Sequence, residues 1–266
     1  MQVIPVLDLL DGHAVRAIRG ERANYRPIQS SLCATSRPLD VARAVLAASG
    51  SRTLYVADLG AIMSREADPF TLAALSTALA DPHDQRDPPH GPPEIWLDAG
   101  YADYPSMLAL FARIASATGT TREPQSVERR ARIVPVFGSE SLLSLDALRE
   151  AEAAGYAPIL SLDHRGGQLL AAPELAHTLR APSSWPSRVI VMTLDQVGAD
   201  QGPDLDTFNL IHAQAGRRTT MGAGGIRHRG DLDAAARSGA AAWLVASALH
   251  DGRLGGMLAT DSDASA

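Results

Sequence analysis

A single cysteine, Cys33, stands in a chain of 266 residues. One cysteine excludes an intramolecular disulfide and any cysteine-based zinc cluster, and nothing around it marks a nucleophile, so it reads as a partly buried thiol. Long apolar runs are missing too. No stretch approaches the roughly 20 residues that a membrane span requires. The opening MQVIPVLDLL has no basic leader region and passes directly into a strand pattern, which makes the cytoplasm the expected location. Positive charge is not in excess: 24 Lys and Arg face 30 Asp and Glu, a formal net charge of −6. The basic residues are spread along the chain, so the basic patch of a nucleic-acid binder is not there. The expected partner is a small molecule, with no nucleic acid and no membrane, and nothing in the sequence sets an oligomeric state.

What the chain does have is 45% hydrophobic residues, enough for one large core. Eight short apolar runs rich in β-branched residues read as strands. They are VIPVLDL (3–9), TLYVADL (53–59), EIWLDAG (94–100), RIVPVFG (132–138), APILSLD (157–163), RVIVMTLD (188–195), TTMGAGG (219–225) and AAWLVAS (241–247). Between them lie Ala- and Leu-rich segments with helical spacing, among them LDVARAVLAASG, PFTLAALSTALA, YPSMLALFARIAS, SLDALREAEAAG, DLDTFNLIHAQAG and RGDLDAAARSG. Several end in a glycine suited to a left-handed cap. Eight strands alternating with helices predict a (β/α)8 TIM barrel over residues 1–255, followed by a small, polar, disordered tail over 256–266. Two stretches, 81–93 and 118–132, look like insertions on the face remote from chemistry. The first holds His83 and His90, which its proline content assigns to a plain loop.

Five of the eight runs end in an acid: Asp8, Asp58, Asp98, Asp163 and Asp195. In a barrel, groups at the C-terminal strand ends face the site, so these carboxylates are candidates for it; each alone could equally cap the next helix or turn. Glycines and small residues at later strand ends, Gly222, Gly224 and Gly225, then Ala246 and Ser247, fall where barrel loops often bind phosphate, because bare backbone lets amides approach its oxygens. The segment RGERANYRPIQS (19–30), with Arg16 before it, places Arg16, Arg19, Arg22, Tyr25 and Arg26 in the first loop, where a basic lid could close over an anion. Arg165 and Arg227 lie just beyond strand ends and could help neutralise it. His164, His228 and His250 near strand ends read as surface residues. The acids share no short metal-ligand spacing, so neither metal nor cofactor is expected.

The two halves also resemble each other in order. VLDLLDG (6–12) matches LSLDHRGG (160–167), YVADLG matches MTLDQVG, LDAGYAD matches GAGGIRH, and VFGSESL (136–142) matches LVASALH. Duplicated half-barrels would set Asp8 and Asp163 across the mouth from one another and create one phosphate site per half.

This repeated pattern, with IPVLDLLDGHAVR, LSLDHR, GAGGIR and VASAL, resembles the HisA/HisF group of histidine biosynthesis over nearly the whole barrel. RGERANYRPIQS, LDAG, FGSESL and LDQVGADQGPDL resemble more narrowly a HisA/HisF-related branch without an assigned activity, found in methanogens and in methylotrophs with pterin-linked one-carbon metabolism. The resemblance implies an aminoaldose-to-aminoketose isomerase with Asp8 as general base, Asp163 as general acid and Thr193 orienting the substrate. It implies phosphate held by Gly224, Gly225, Ala246 and Ser247, with a second site at Gly138 and Ser139; the strand-end acids Asp58, Asp98 and Asp195 and Arg19 of the first loop are the further candidates for substrate contact. The sequence departs from the group where Asp98 replaces a glycine-rich phosphate loop and Glu140 adds another negative charge, which points to a substrate with one phosphate. Two alternatives stay open: a diverged lyase or synthase of one-carbon cofactor metabolism, and a catalytically silent binding or assembly protein.

Overall fold

The computed structural model describes residues 1–18, 21, 24–63, 65–80, 93–118 and 130–255. Arg19, Arg22, His83, His90, most of the two insertions and the tail from 256 lie outside the described residues. The elements run β1 (Gln2–Leu10), β2 (His13–Arg16), β3 (Arg26–Pro27), α1 (Pro38–Ser49), β4 (Thr53–Asp58), α2 (Leu59–Ile62), α3 (Pro69–Ala78), β5 (Glu94–Asp98), α4 (Tyr104–Ala117) and β6 (Arg132–Gly138). They continue with α5 (Asp146–Ala153), β7 (Ile159–Arg165), β8 (Gln168–Leu169), α6 (Pro173–Leu179), β9 (Arg188–Thr193), α7 (Leu205–Gln214), β10 (Thr219–Ala223), α8 (Arg229–Arg237), β11 (Ala242–Val245) and α9 (Ser247–His250).

Eight parallel strands, β1, β4, β5, β6, β7, β9, β10 and β11, close into a barrel when β11 pairs back onto β1, Gln2 opposite Ala242 and Pro5 opposite Val245. Helices follow the strands, so this is the (β/α)8 TIM barrel predicted from the sequence. All eight strand assignments hold to within a few residues at their ends. The sequence reading missed α6, the short α2 and α9, and the antiparallel pieces β2, β3 and β8, where chain expected to be loop continues the ladder: Asp8 pairs with Val15 and His164 with Leu169.

Strand alternation divides the apolar residues into two cores. Ile4, Tyr55, Trp96, Val134, Val136, Ile159, Ile190, Met221, Ala242 and Leu244 fill the barrel, while a larger cluster that includes Leu7, Leu54, Leu97, Phe137, Leu162, Val191 and Trp243 joins the outer strand faces to the helices. At the N-terminal end Glu94 closes the interior. Its carboxylate accepts from Trp96 Nε1 at 2.8 Å and pairs with Arg132 and Arg188, and the Arg188 guanidinium lies 5.4 Å from the Trp96 ring centroid. Above the filled layers three acids, Asp8, Asp98 and Asp163, enter the interior positions, and the barrel opens.

Candidate active site

The next inward positions on each strand line a cavity of about 380 Å3 at the C-terminal face. They are Asp8 on β1, Ala57 on β4, Asp98 on β5, Gly138 on β6, Asp163 on β7, Met192 on β9 and Ala223 on β10. Adjacent strands pair Asp8 with Ala57, Ala57 with Asp98, and Asp163 with Met192, while Gly138 lies opposite Ser161. In a closed eight-stranded barrel the first and fifth strands face each other, which puts Asp8 and Asp163 on opposite walls. The phosphate candidates Gly224, Gly225, Ala246 and Ser247 line the same cavity beyond β10 and β11.

Asp163 is the most heavily built of these groups. It is buried; its Oδ1 accepts from the Ser161 hydroxyl at 2.7 Å and its Oδ2 from the Glu140 backbone N–H at 3.1 Å. Burial, and then the Asp98 carboxylate, push its carboxyl up to about 7, against the downward pull of those two hydrogen bonds. Gly138 lets the two acids approach: a Cβ there would stand 3.0 Å from Asp163 Oδ2 and 3.7 Å from Asp98 Oδ2. Asp98 is held by Tyr55, whose phenol donates to Oδ2 at 3.0 Å, and by the Gly100 N–H at 3.1 Å to Oδ1. Burial and the carboxylates of Asp98, Asp163 and Asp8 hold the Tyr55 phenol well above its usual range, so it stays a donor.

Since the folded chain keeps a proton on Asp163 up to about pH 7 and an unfolded one releases it near the ordinary 3.8, the folded state binds more protons between those values. Stability therefore falls as pH rises through that window. Thermal unfolding of wild type and Asp163→Asn from pH 4 to 8 should show the shallower decline in the variant. Parallel profiles would mean that Asp163 ionises normally.

Four of the sequence candidates lie elsewhere, and alternation explains two of them. Asp58 and Thr193 occupy outward positions. Asp58 accepts from Ala61 N at 3.1 Å and Asp68 N at 3.0 Å, capping α2 and pinning the next loop, while the Thr193 hydroxyl donates to Ala223 O at 3.1 Å. Asp195 is exposed and accepts from the Gly166 N–H. Ser139 is buried under Asp163, and its hydroxyl accepts from Asp163 N at 2.9 Å, which orients the acid. Gly138 does line the cavity, but it faces carboxylates. Arg227 is bound to Asp231 through both Nε and Nη2 at 2.9 Å. His250 is not a surface residue; it is 2% exposed, bonded to Ser30, and burial then Arg16 push its imidazole down to about 4.

The sequence reading placed Arg16 in a basic lid over an anion but missed the acids that pair with the arginines of the roof. Arg16 pairs with Asp251, Arg253 bridges Asp251 at 2.8 Å and Asp200 at 2.5 Å, and all four line the cavity. Gly198 seats the loop after β9 on the first loop so closely that a Cβ would fall 2.1 Å from Ala17 O. Gln196 also lines the cavity, and its Oε1 is buried with no hydrogen-bond partner among the described residues.

The sequence profile of the histidine biosynthesis protein family matches residues 94–255, from β5 to the end of the described chain. The chain belongs to that family. Among individual relatives, an uncharacterized protein of Methanocaldococcus jannaschii is 25% identical over 256 residues, covering 96% of this chain and 95% of its own length. A 1-(5-phosphoribosyl)-5-((5-phosphoribosylamino)methylideneamino)imidazole-4-carboxamide isomerase of Thermomicrobium roseum is 26% identical over 273 residues, covering 96% and 94%. The isomerase of the same name from Herpetosiphon aurantiacus is 28% identical over 152 residues, about half of each chain. Family membership thus spans different proteins, and the reaction must be argued from the cavity.

Proposed function

We propose that this family member is an isomerase acting on a phosphorylated aminoaldose, with Asp163 as general acid and Asp8 as general base. The observation that carries the reading is the pair of inward carboxylates on opposite walls, one of them built to stay protonated near neutrality, in the cavity that also holds the Gly224, Gly225, Ala246 and Ser247 cradle. Aldose-to-ketose chemistry needs that asymmetry. A protonated Asp163 gives its proton to the sugar ring oxygen as the bond from C1 to that oxygen breaks, leaving an open-chain iminium. Ionised Asp8 then takes the proton from C2, the C2 electrons neutralise the iminium, and the resulting enol tautomerises to the ketone. The sugar is both oxidised at C2 and reduced at C1, so no external electron acceptor is involved. Bare backbone at Gly224 and Gly225 supports phosphate seating away from the acids.

Purified protein should convert the aminoaldose for which the two isomerase relatives are named, and Asp8→Asn should abolish that conversion while ligand binding remains. Conversion untouched by Asp8→Asn would remove Asp8 from the reaction. Absence of conversion at high enzyme concentration would favour the second reading, a diverged lyase or synthase of the family, which the Asp98 and Glu140 carboxylates in the cavity support.

A further inference from the structure

The two half-barrels treat corresponding backbone amides in opposite ways. In the sequence match between halves, Ala99 and Gly100 correspond to Gly224 and Gly225, and Ser139 and Glu140 correspond to Ser247 and Ala248. In the second half Gly225, which lies outside the strands and helices, has no hydrogen bond beginning at its N–H among the described residues. In the first half the amides are consumed internally. Gly100 N donates to Asp98 Oδ1 at 3.1 Å, Glu140 N to Asp163 Oδ2 at 3.1 Å, and Ser139 N to Ser161 O at 2.8 Å.

Charge opposes an anion in the same place. The Asp98 carboxylate already sits on the Gly100 amide, and Glu140 adds a second acid to the same cavity. A phosphate there would displace carboxylates from their donors and stand against like charge.

Resting on the phosphate cradle of the proposed function, we infer that the substrate carries a single phosphate, seated beyond β10 and β11, and that its opposite end, under β5 and β6, is uncharged or cationic. The relatives' substrate name contains two phosphoribosyl groups; this chain has closed the cradle that would hold the second. Asp98 is the specificity-determining residue, because one side chain both caps the Gly100 amide and supplies the repelling charge.

Calorimetric titration of the full chain with ribose 5-phosphate and ribulose 1,5-bisphosphate tests this directly. Wild type should bind the monophosphate at least as tightly as the bisphosphate. Asp98→Gly, which frees the Gly100 amide and removes a charge, should tighten the bisphosphate by about tenfold and leave the monophosphate within about twofold. A wild-type preference for the bisphosphate of about tenfold or more would overturn the inference and leave the isomerase reading intact. If the monophosphate is preferred and no aminoaldose is converted, the isomerase assignment fails and the inference stands. Binding of neither sugar at millimolar concentration removes the phosphate cradle, and the inference with it.

Discussion

Asp163→Asn should lower the rate of aminoaldose isomerisation by about a hundredfold to ten-thousandfold, the range a positioned general acid contributes. Asparagine keeps the shape of the side chain and can still accept from Ser161, so the cavity wall survives, but it has no proton to give to a departing ring oxygen. KM should change far less than kcat, since the proton moves only as the ring opens. The pH profile supplies the second half of the expectation. With Asp163 as the proposed general acid the protonated form is the one that reacts, and its carboxyl is pushed up to about 7 by burial and by Asp98; wild-type kcat should therefore fall as pH rises through about 7. The residual rate of the variant should show no such limb. A variant that retains turnover to within a few-fold, or a wild-type alkaline limb that persists in it, would take the acid role away from Asp163.

The same carboxylate shows how much of the site was legible in sequence. Strand ends were readable because eight apolar runs are punctuated by glycines and acids, and this fixes which residues reach the C-terminal face. Which side of the strand they occupy follows from alternation, and that signal was present but unused. On β4, interior Tyr55 and Ala57 put Asp58 outside; on β9, interior Ile190 and Met192 put Thr193 outside; on β5 and β7, Trp96 and Ile159 put Asp98 and Asp163 inside. Five acids at strand ends thus become three cavity acids, one cap and one exposed loop acceptor. Tyr55 was hidden for a different reason: an aromatic in an apolar run reads as core, and only the Asp98 carboxylate facing it across the β4 and β5 pairing reveals a donor. Of the roof, only Arg16 in the first loop was legible. Arg16 and Asp251 are 235 residues apart in the chain, and only barrel closure between β11 and β1 brings their loops together.

Outside the cavity, Gly222→Ala is the substitution expected to cost most stability. Gly222 points outward from β10 against the flat face of Trp243, and a Cβ would lie 2.2 Å from Cζ3 and 2.4 Å from Cε3. The ring has nowhere to go: Trp243 is 1% exposed and packs on Phe208 of α7 at 5.3 Å between centroids. Overpacking of this kind costs about 3 kcal/mol, which for a chain of this size lowers Tm by about 6–12 °C. The damage should reach the ligand as well. Trp243 Nε1 donates to Gly224 O at 3.0 Å, so a displaced indole releases the turn that carries the Gly224 and Gly225 amides. Ribose 5-phosphate binding should weaken in Gly222→Ala although no cavity-lining residue has been changed. Combining it with Trp243→Leu separates a clash from a loss of strand geometry: relief of the clash makes the double variant less unstable than the sum of the two changes. Strict additivity would mean that the ring had already yielded, while phosphate binding should stay weak in the double variant because the indole donor to Gly224 is gone.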